Sequence, residues 1–170
     1  NHTQNDQIDD DHNENVNDNV VQPINTKGII IEVCNPQIKE DTFNKYVIYQ
    51  IKGKDDKGEF EVVRRYSDFD KIRNLLLSKW PGCYIPPLPP KALNSLEAKV
   101  VKERKKYLNR FCQKIAELSY LHYYDAYQEF IRSKATSVEK ILQPWAKNDY
   151  ADIIERYSAT FSNLAGVLPN

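Results

Sequence analysis

Arg64-Arg65-Tyr66-Ser67-Asp68-Phe69 stands where a strand signal gives way to a helix signal. Ahead of it, Phe60-Glu61-Val62-Val63 is β-branched and alternating, the period of a half-buried strand. Behind it, Phe69, Ile72, Leu76 and Trp80 recur at three- and four-residue intervals, one face of a helix. Ser67 suits the N-cap, and Asp68 and Asp70 favour the positive end of the helix dipole. Two arginines and a tyrosine at such a junction suit an anionic, flat-faced ligand.

Working back from this junction, Gly28 to Cys34 and Phe43 to Ile51 read as two further strands, the first stopped near Pro36. Asp55-Asp56-Lys57-Gly58 is a turn leading into the strand from Glu59 to Arg65. The expectation is an α+β fold, a three-stranded antiparallel sheet packed on a helical subdomain, because so small a sheet must bury one face. Residues 1–25 are Asn-rich and acidic, without periodicity, and read as a disordered tail.

Working forward, the first helix should run over about 67–80 and end at Trp80-Pro81-Gly82. Ile85-Pro86-Pro87-Leu88-Pro89-Pro90-Lys91 has four prolines in five positions, a stiff polyproline II rod that ends in a lysine. A long helix should begin near Ser95, with Leu96, Val100, Tyr107, Leu108, Phe111, Ile115 and Leu118 along its apolar stripe. Arg104 falls on that stripe side, where a charge needs a partner; the alternative is an arginine snorkelling at the stripe's edge. A short helix over about 123–133 should bury Tyr124, Tyr127, Phe130 and Ile131, with a further turn or two around Val138, Ile141, Leu142 and Trp145. Asp149 then caps a final helix with Tyr150, Ile153, Ile154, Tyr157, Phe161 and Leu164 on one face.

Charge balances over the chain, 24 basic against 24 acidic residues, but not locally. Six acids and no Lys or Arg lie in residues 1–20, leaving 24 basic against 18 acidic in residues 21–170. The folded part is therefore basic and suited to an anionic surface. No stretch is apolar enough to span a bilayer, and the acidic start is unlike a targeting peptide, so the reading is cytoplasmic. Cys34, Cys83 and Cys112 are odd in number and lack metal-ligand spacing, which suits reduced thiols. His122 is the only histidine in the globular part, and no glycines are grouped into a phosphate loop. Asp68 and Asp70 are explained by capping. No catalytic residue, cofactor or metal is therefore assigned, and nucleic-acid binding is disfavoured by the neutral overall charge.

In this order, the strands, Arg-Arg-Tyr-Ser-Asp-Phe, the helix, the proline rod ending in lysine and the helix carrying Glu103-Arg104-Lys105-Lys106 resemble the phox-homology (PX) domain of sorting nexins. The resemblance covers residues 26–134, with 135–170 as a helical extension that suits the start of a downstream domain. It implies phosphoinositide binding, usually of phosphatidylinositol 3-phosphate, on the cytoplasmic face of endosomal membranes. Carried over by position, Arg65 would grip the 3-phosphate, Tyr66 would lie under the inositol ring, Lys91 would meet the 1-phosphate and Arg104 would bond the ring hydroxyls. The physics agrees: a phosphate monoester suits a guanidinium fork, and a diester needs only a point charge. Arg64 points away from Arg65 by strand alternation, towards a structural or surface role. Leu93 and Leu96 would lie near the bilayer and insert, or else cap the core.

Two alternatives stand beside this reading. Pro86-x-x-Pro89-Pro90-Lys91 also fits an SH3 ligand. A PX-like scaffold without lipid contact would instead use the apolar face of the helix at 149–164 for a protein partner or for dimerisation.

Overall fold

The computed structural model describes residues 28–162, so the acidic tail expected over 1–25 and Leu164 lie outside it. β1 (Ile30–Glu40), β2 (Lys45–Asp55) and β3 (Gly58–Arg65) form an antiparallel meander in the order β1-β2-β3. Among the described residues six α-helices follow, α1 (Tyr66–Lys79), α2 (Ala98–Glu117), α3 (Ser119–His122), α4 (Asp125–Arg132), α5 (Val138–Leu142) and α6 (Tyr150–Phe161), with a 3-10 turn (Gln143–Trp145) after α5. The architecture is α+β, a three-stranded sheet packed on helices. Period-two alternation turns Ile31, Val33, Val47, Tyr49, Ile51, Phe60 and Val62 inward, against Phe69, Ile72 and Leu76 of α1 and Leu108, Phe111 and Ile115 of α2. Phe69 sits edge-on to both Phe111 and Phe130, with ring centroids 6.2 and 5.4 Å away.

β1 does not stop at Pro36. Asn35 takes a left-handed backbone (φ 46°), the register slips between Cys34 and Gln37, and pairing resumes at Gln37 with Ile48. Asparagine tolerates that conformation, and a bulge accommodates a proline that has no N–H for the ladder. Asp41 closes the following turn, accepting from the N–H groups of Phe43 and Asn44 at 3.1 and 2.8 Å. β2 runs on to Asp55 through Gly53, where a Cβ would stand 2.1 Å from the Ile30 carbonyl oxygen and 2.5 Å from the Phe60 ring. Only glycine lets the strands close there.

Both sheet edges are covered. Asn109 of α2 accepts from the Val33 N–H at 2.8 Å on the β1 side. On the β3 side, Arg132, Lys134 and Arg64 donate to the carbonyls of Glu59, Glu61 and Val63. Side chains thus occupy groups that would otherwise template another strand.

The helices differ from expectation at their ends. Arg65, not Ser67, is the N-cap of α1, and Asp68 accepts from the Arg65 N–H at 2.8 Å. The carboxylate reaches back one turn, the acidic half of a capping box. α2 begins at Ala98 with Glu97 as N-cap, one turn later than Ser95, because residues 93–96 form turns. Tyr107 is 41% exposed and off the apolar stripe, whereas Cys112 and Ala116 are buried on it. In α6, Asp149 caps as expected, accepting from Ala151 N–H at 2.9 Å. Tyr157 and Phe161 pack on Trp80 (5.7 and 6.5 Å between centroids), but Tyr150 and Ile154 are 82% and 66% exposed. The expected single face is divided between packing and solvent.

Candidate functional site

Arg64 and Arg65 part company at the end of β3. Arg64 shares the inward phase of Val62 and is 3% exposed. Its guanidinium donates to the carbonyls of Phe130 (3.0 Å) and Ser133 (2.6 Å), at the end of α4, and to that of Val63 (2.9 Å). It lies 5.4 Å from the Phe130 ring centroid. Every one of these acceptors is backbone, so Arg64 is a structural clamp on the end of α4. Arg65 faces the other way and is exposed. Its guanidinium lies 3.4 Å above the centroid of Tyr46 on β2.

Tyr66 is the hub. It is the first residue of α1, half-buried, and its hydroxyl donates to the Pro89 carbonyl in the proline rod. Arg104, one and a half turns into α2, carries its guanidinium 4.2 Å from the Tyr66 ring centroid. Arg104 is 6% exposed, and no carboxylate pairs with it among the described residues. A buried cation on an aromatic face, with the Tyr49 hydroxyl but no acid beside it, has charge to offer an anion. The snorkelling alternative is set aside by that burial. Lys91, two residues beyond Pro89, reaches Asp70 of α1 at 3.4 Å with its side chain 79% exposed. So open an ion pair is worth little and leaves the ammonium available.

The electrostatics of the phenol report the same convergence. Burial raises the pKa of Tyr66, and Asp70 raises it further, whereas Arg104, Lys91 and Arg73 pull it down. Three cations therefore act on one hydroxyl. Arg73 is itself fixed, donating from Nε to the Pro86 carbonyl at 2.8 Å. With Tyr66, it holds a rod that has no hydrogen bonds of its own. Pro86 is buried and Pro89 half-buried. A Pro86-x-x-Pro89 ligand would have to leave the fold to enter an SH3 groove.

The structure thus brings Lys91 and Arg104 to Tyr66, whereas the side chain of Arg65, the next residue along the chain, lies on Tyr46. Leu93 is fully exposed in the turn after Lys91, and Leu96 is 36% exposed, so neither caps the core. Sequence reasoning missed Tyr46, an aromatic at an outward strand position, and Asp70 as the partner of Lys91. Two clefts lie elsewhere: one of about 820 Å³ between α1 and α5, and one of about 600 Å³ on the outer face of the sheet. Neither holds a residue of the cluster, which is an open cradle of charges rather than a cavity.

The meander, the bound proline rod and the helices packed on the sheet have the fold of a PX domain. Residues 52–134 match the family model of the PX domain, so the chain carries a PX domain, similar to those of sorting nexins. It is 29% identical to Sorting nexin-30 of Xenopus tropicalis over 125 residues, which cover 68% of this chain and 28% of that protein. It is 32% identical to Sorting nexin MVP1 of Kluyveromyces lactis over 145 residues, covering 81% of this chain and 26% of the relative. The chain thus spans little more than a quarter of these curated relatives. Among solved structures, a designed CISK-PX domain aligns with a TM-score of 0.56 at 27% identity, covering 61% of this chain and 99% of that one. The SNX-BAR Mvp1 tetramer aligns with a TM-score of 0.58 at 26% identity, covering 81% of this chain and 43% of that chain.

Proposed function

We propose that this chain recognises phosphatidylinositol 3-phosphate and so brings its protein to endosomal membranes as a non-enzymatic trafficking adaptor. Residues 26–134 are the binding unit, and 135–170 are an extension. The observation that carries this is Arg104, a buried cation stacked on Tyr66 without an acidic partner. An incoming headgroup supplies acceptors for the Arg104 guanidinium and brings negative charge close by. Arg65 meets the 3-phosphate, Lys91 exchanges Asp70 for the 1-phosphate, and Arg104 bonds the ring hydroxyls. Arg104 already covers one face of Tyr66, so the inositol ring packs against the remaining exposed part of that tyrosine. Leu93 projects beside Lys91 and enters the lipid interface. One leucine is a weak anchor, so residence on the membrane needs a second attachment.

Co-sedimentation with vesicles tests this directly. Vesicles carrying phosphatidylinositol, its 3-phosphate, its 4-phosphate or its 4,5-bisphosphate are compared for wild type and Arg65→Ala. Selective pelleting with the 3-phosphate, lost in the variant, supports the reading. A folded protein that ignores every lipid sinks it. In that event the exposed Tyr150 and Ile154 on α6 favour the scaffold reading, a contact with a protein partner or a second copy. Light scattering of wild type against Tyr150→Ser/Ile154→Ser tests the second-copy form of that contact.

A further inference from the structure

We propose that Tyr46 is the positioning residue that presets the Arg65 guanidinium for the 3-phosphate. This rests on the reading of Arg65 as the phosphate-gripping side chain. Arg65 is exposed, and among the described residues its guanidinium makes no hydrogen bond and no ion pair. A long side chain so placed would sample many rotamers and lose that freedom on binding. What holds it is the ring of Tyr46, whose centroid lies 3.4 Å from the guanidinium carbon. Stacking fixes the plane of the fork while leaving its N–H edges free to donate.

A carboxylate in the same position would neutralise the charge that the ligand needs. Asp41 feels the charge of Arg65, but forms no ion pair with it, and its Oδ1 accepts from the N–H groups of Phe43 and Asn44. An aromatic face therefore orients the arginine without competing for it. Tyr46 is in turn fixed by pairing with Lys39, on the part of β1 that exists only because pairing resumes after the bulge at Asn35. The bulge thus connects a backbone irregularity in β1 to the aim of a ligand-binding side chain on β3.

Two measurements on the whole chain decide this. Calorimetric titration with soluble dibutanoyl phosphatidylinositol 3-phosphate compares wild type, Tyr46→Phe, Tyr46→Leu, Arg65→Gln and the Tyr46→Leu/Arg65→Gln double variant. Tyr46→Phe should bind like wild type and Tyr46→Leu roughly fivefold more weakly. In the Arg65→Gln background Tyr46→Leu should cost nothing further. Equal binding by Tyr46→Leu, or the same loss in both backgrounds, overturns the role of Tyr46 alone. Wild type that ignores the lipid overturns the functional reading itself. Independently of ligand, the Arg65 Hδ resonances should be shifted upfield by the ring in wild type and Tyr46→Phe, but not in Tyr46→Leu. Identical shifts in all three contradict the stacking.

Discussion

Two adjacent arginines carry opposite duties here, and substitution separates them. Arg64 is buried and spends its donors on backbone carbonyls of Val63, Phe130 and Ser133. Arg64→Leu orphans those acceptors and should lower stability by about 3 kcal/mol in denaturant titration while leaving the charges of the site in place. Arg104 is as buried, but has no acid to lose. Removing it deletes an uncompensated charge from the interior. Arg104→Leu should therefore keep or raise the unfolding midpoint while weakening headgroup binding by about tenfold or more. A variant that loses stability and binding in parallel would show Arg104 to be a structural arginine like Arg64. Neither duty can be assigned from residue type. Strand alternation separates Arg64 from Arg65 in the sequence, but the acceptors that make Arg64 a clamp lie 66 and 69 residues away.

Elements are held by a second polar cluster that no local pattern of residues announces. Asp55 at the β2–β3 turn receives His122 Nε2 of α3 at 2.9 Å and the Arg132 guanidinium of α4. Burial holds the pKa of His122 below its ordinary 6.5, with Asp55 opposing. Burial also works to raise that of Asp55, but hydrogen bonds from Arg132, His122 and the Lys57 N–H outweigh it and hold it below 3.8. Both folded-state values are depressed, so both contributions are complete above the unfolded value and are lost on acidification. Stability should fall as pH drops below 6.5, through His122, and fall again below 3.8, through Asp55. Thermal melts across pH check this: His122→Gln should flatten the first fall, and a midpoint that rises on acidification contradicts it. In β2, Gly53→Ala should cost about 2–3 kcal/mol, since the Cβ meets the Ile30 carbonyl rather than a movable side chain. Element types were legible because periodicity is local: the alternation before Arg65 and the three-four spacing after it are each contained in a few residues. The continuation of β1 past Pro36 was not, since a bulge is recognised only by the partner strand on which pairing resumes. His122 looked idle for the same reason: its carboxylate is 67 residues away.

At the scale of the whole molecule, the proline rod and the C-terminal extension are both tied to α1. The rod is bound through Tyr66 and Arg73, and the extension through Arg156, which donates to the Lys79 carbonyl at 2.8 Å, and Tyr157, which donates to Pro81. α1 is therefore the element on which site and extension are jointly mounted. The residues proposed for the site were picked from the sequence because four separate motifs keep their order. That Lys91 and Arg104 meet at Tyr66 was not legible, because the rod's path depends on side-chain donors from another element. Binding governed by exposed Arg65 and Lys91 should weaken as salt rises through the physiological range, whereas binding driven by Leu93 alone would not. The most direct test of the central claim is an amide chemical-shift map on titration with soluble dibutanoyl phosphatidylinositol 3-phosphate. A single phosphoinositide site predicts saturable shifts concentrated at Arg65–Tyr66, at Lys91 and around Arg104. Shifts confined to the groove between α1 and α5, or no saturable shift in the folded protein, would contradict it.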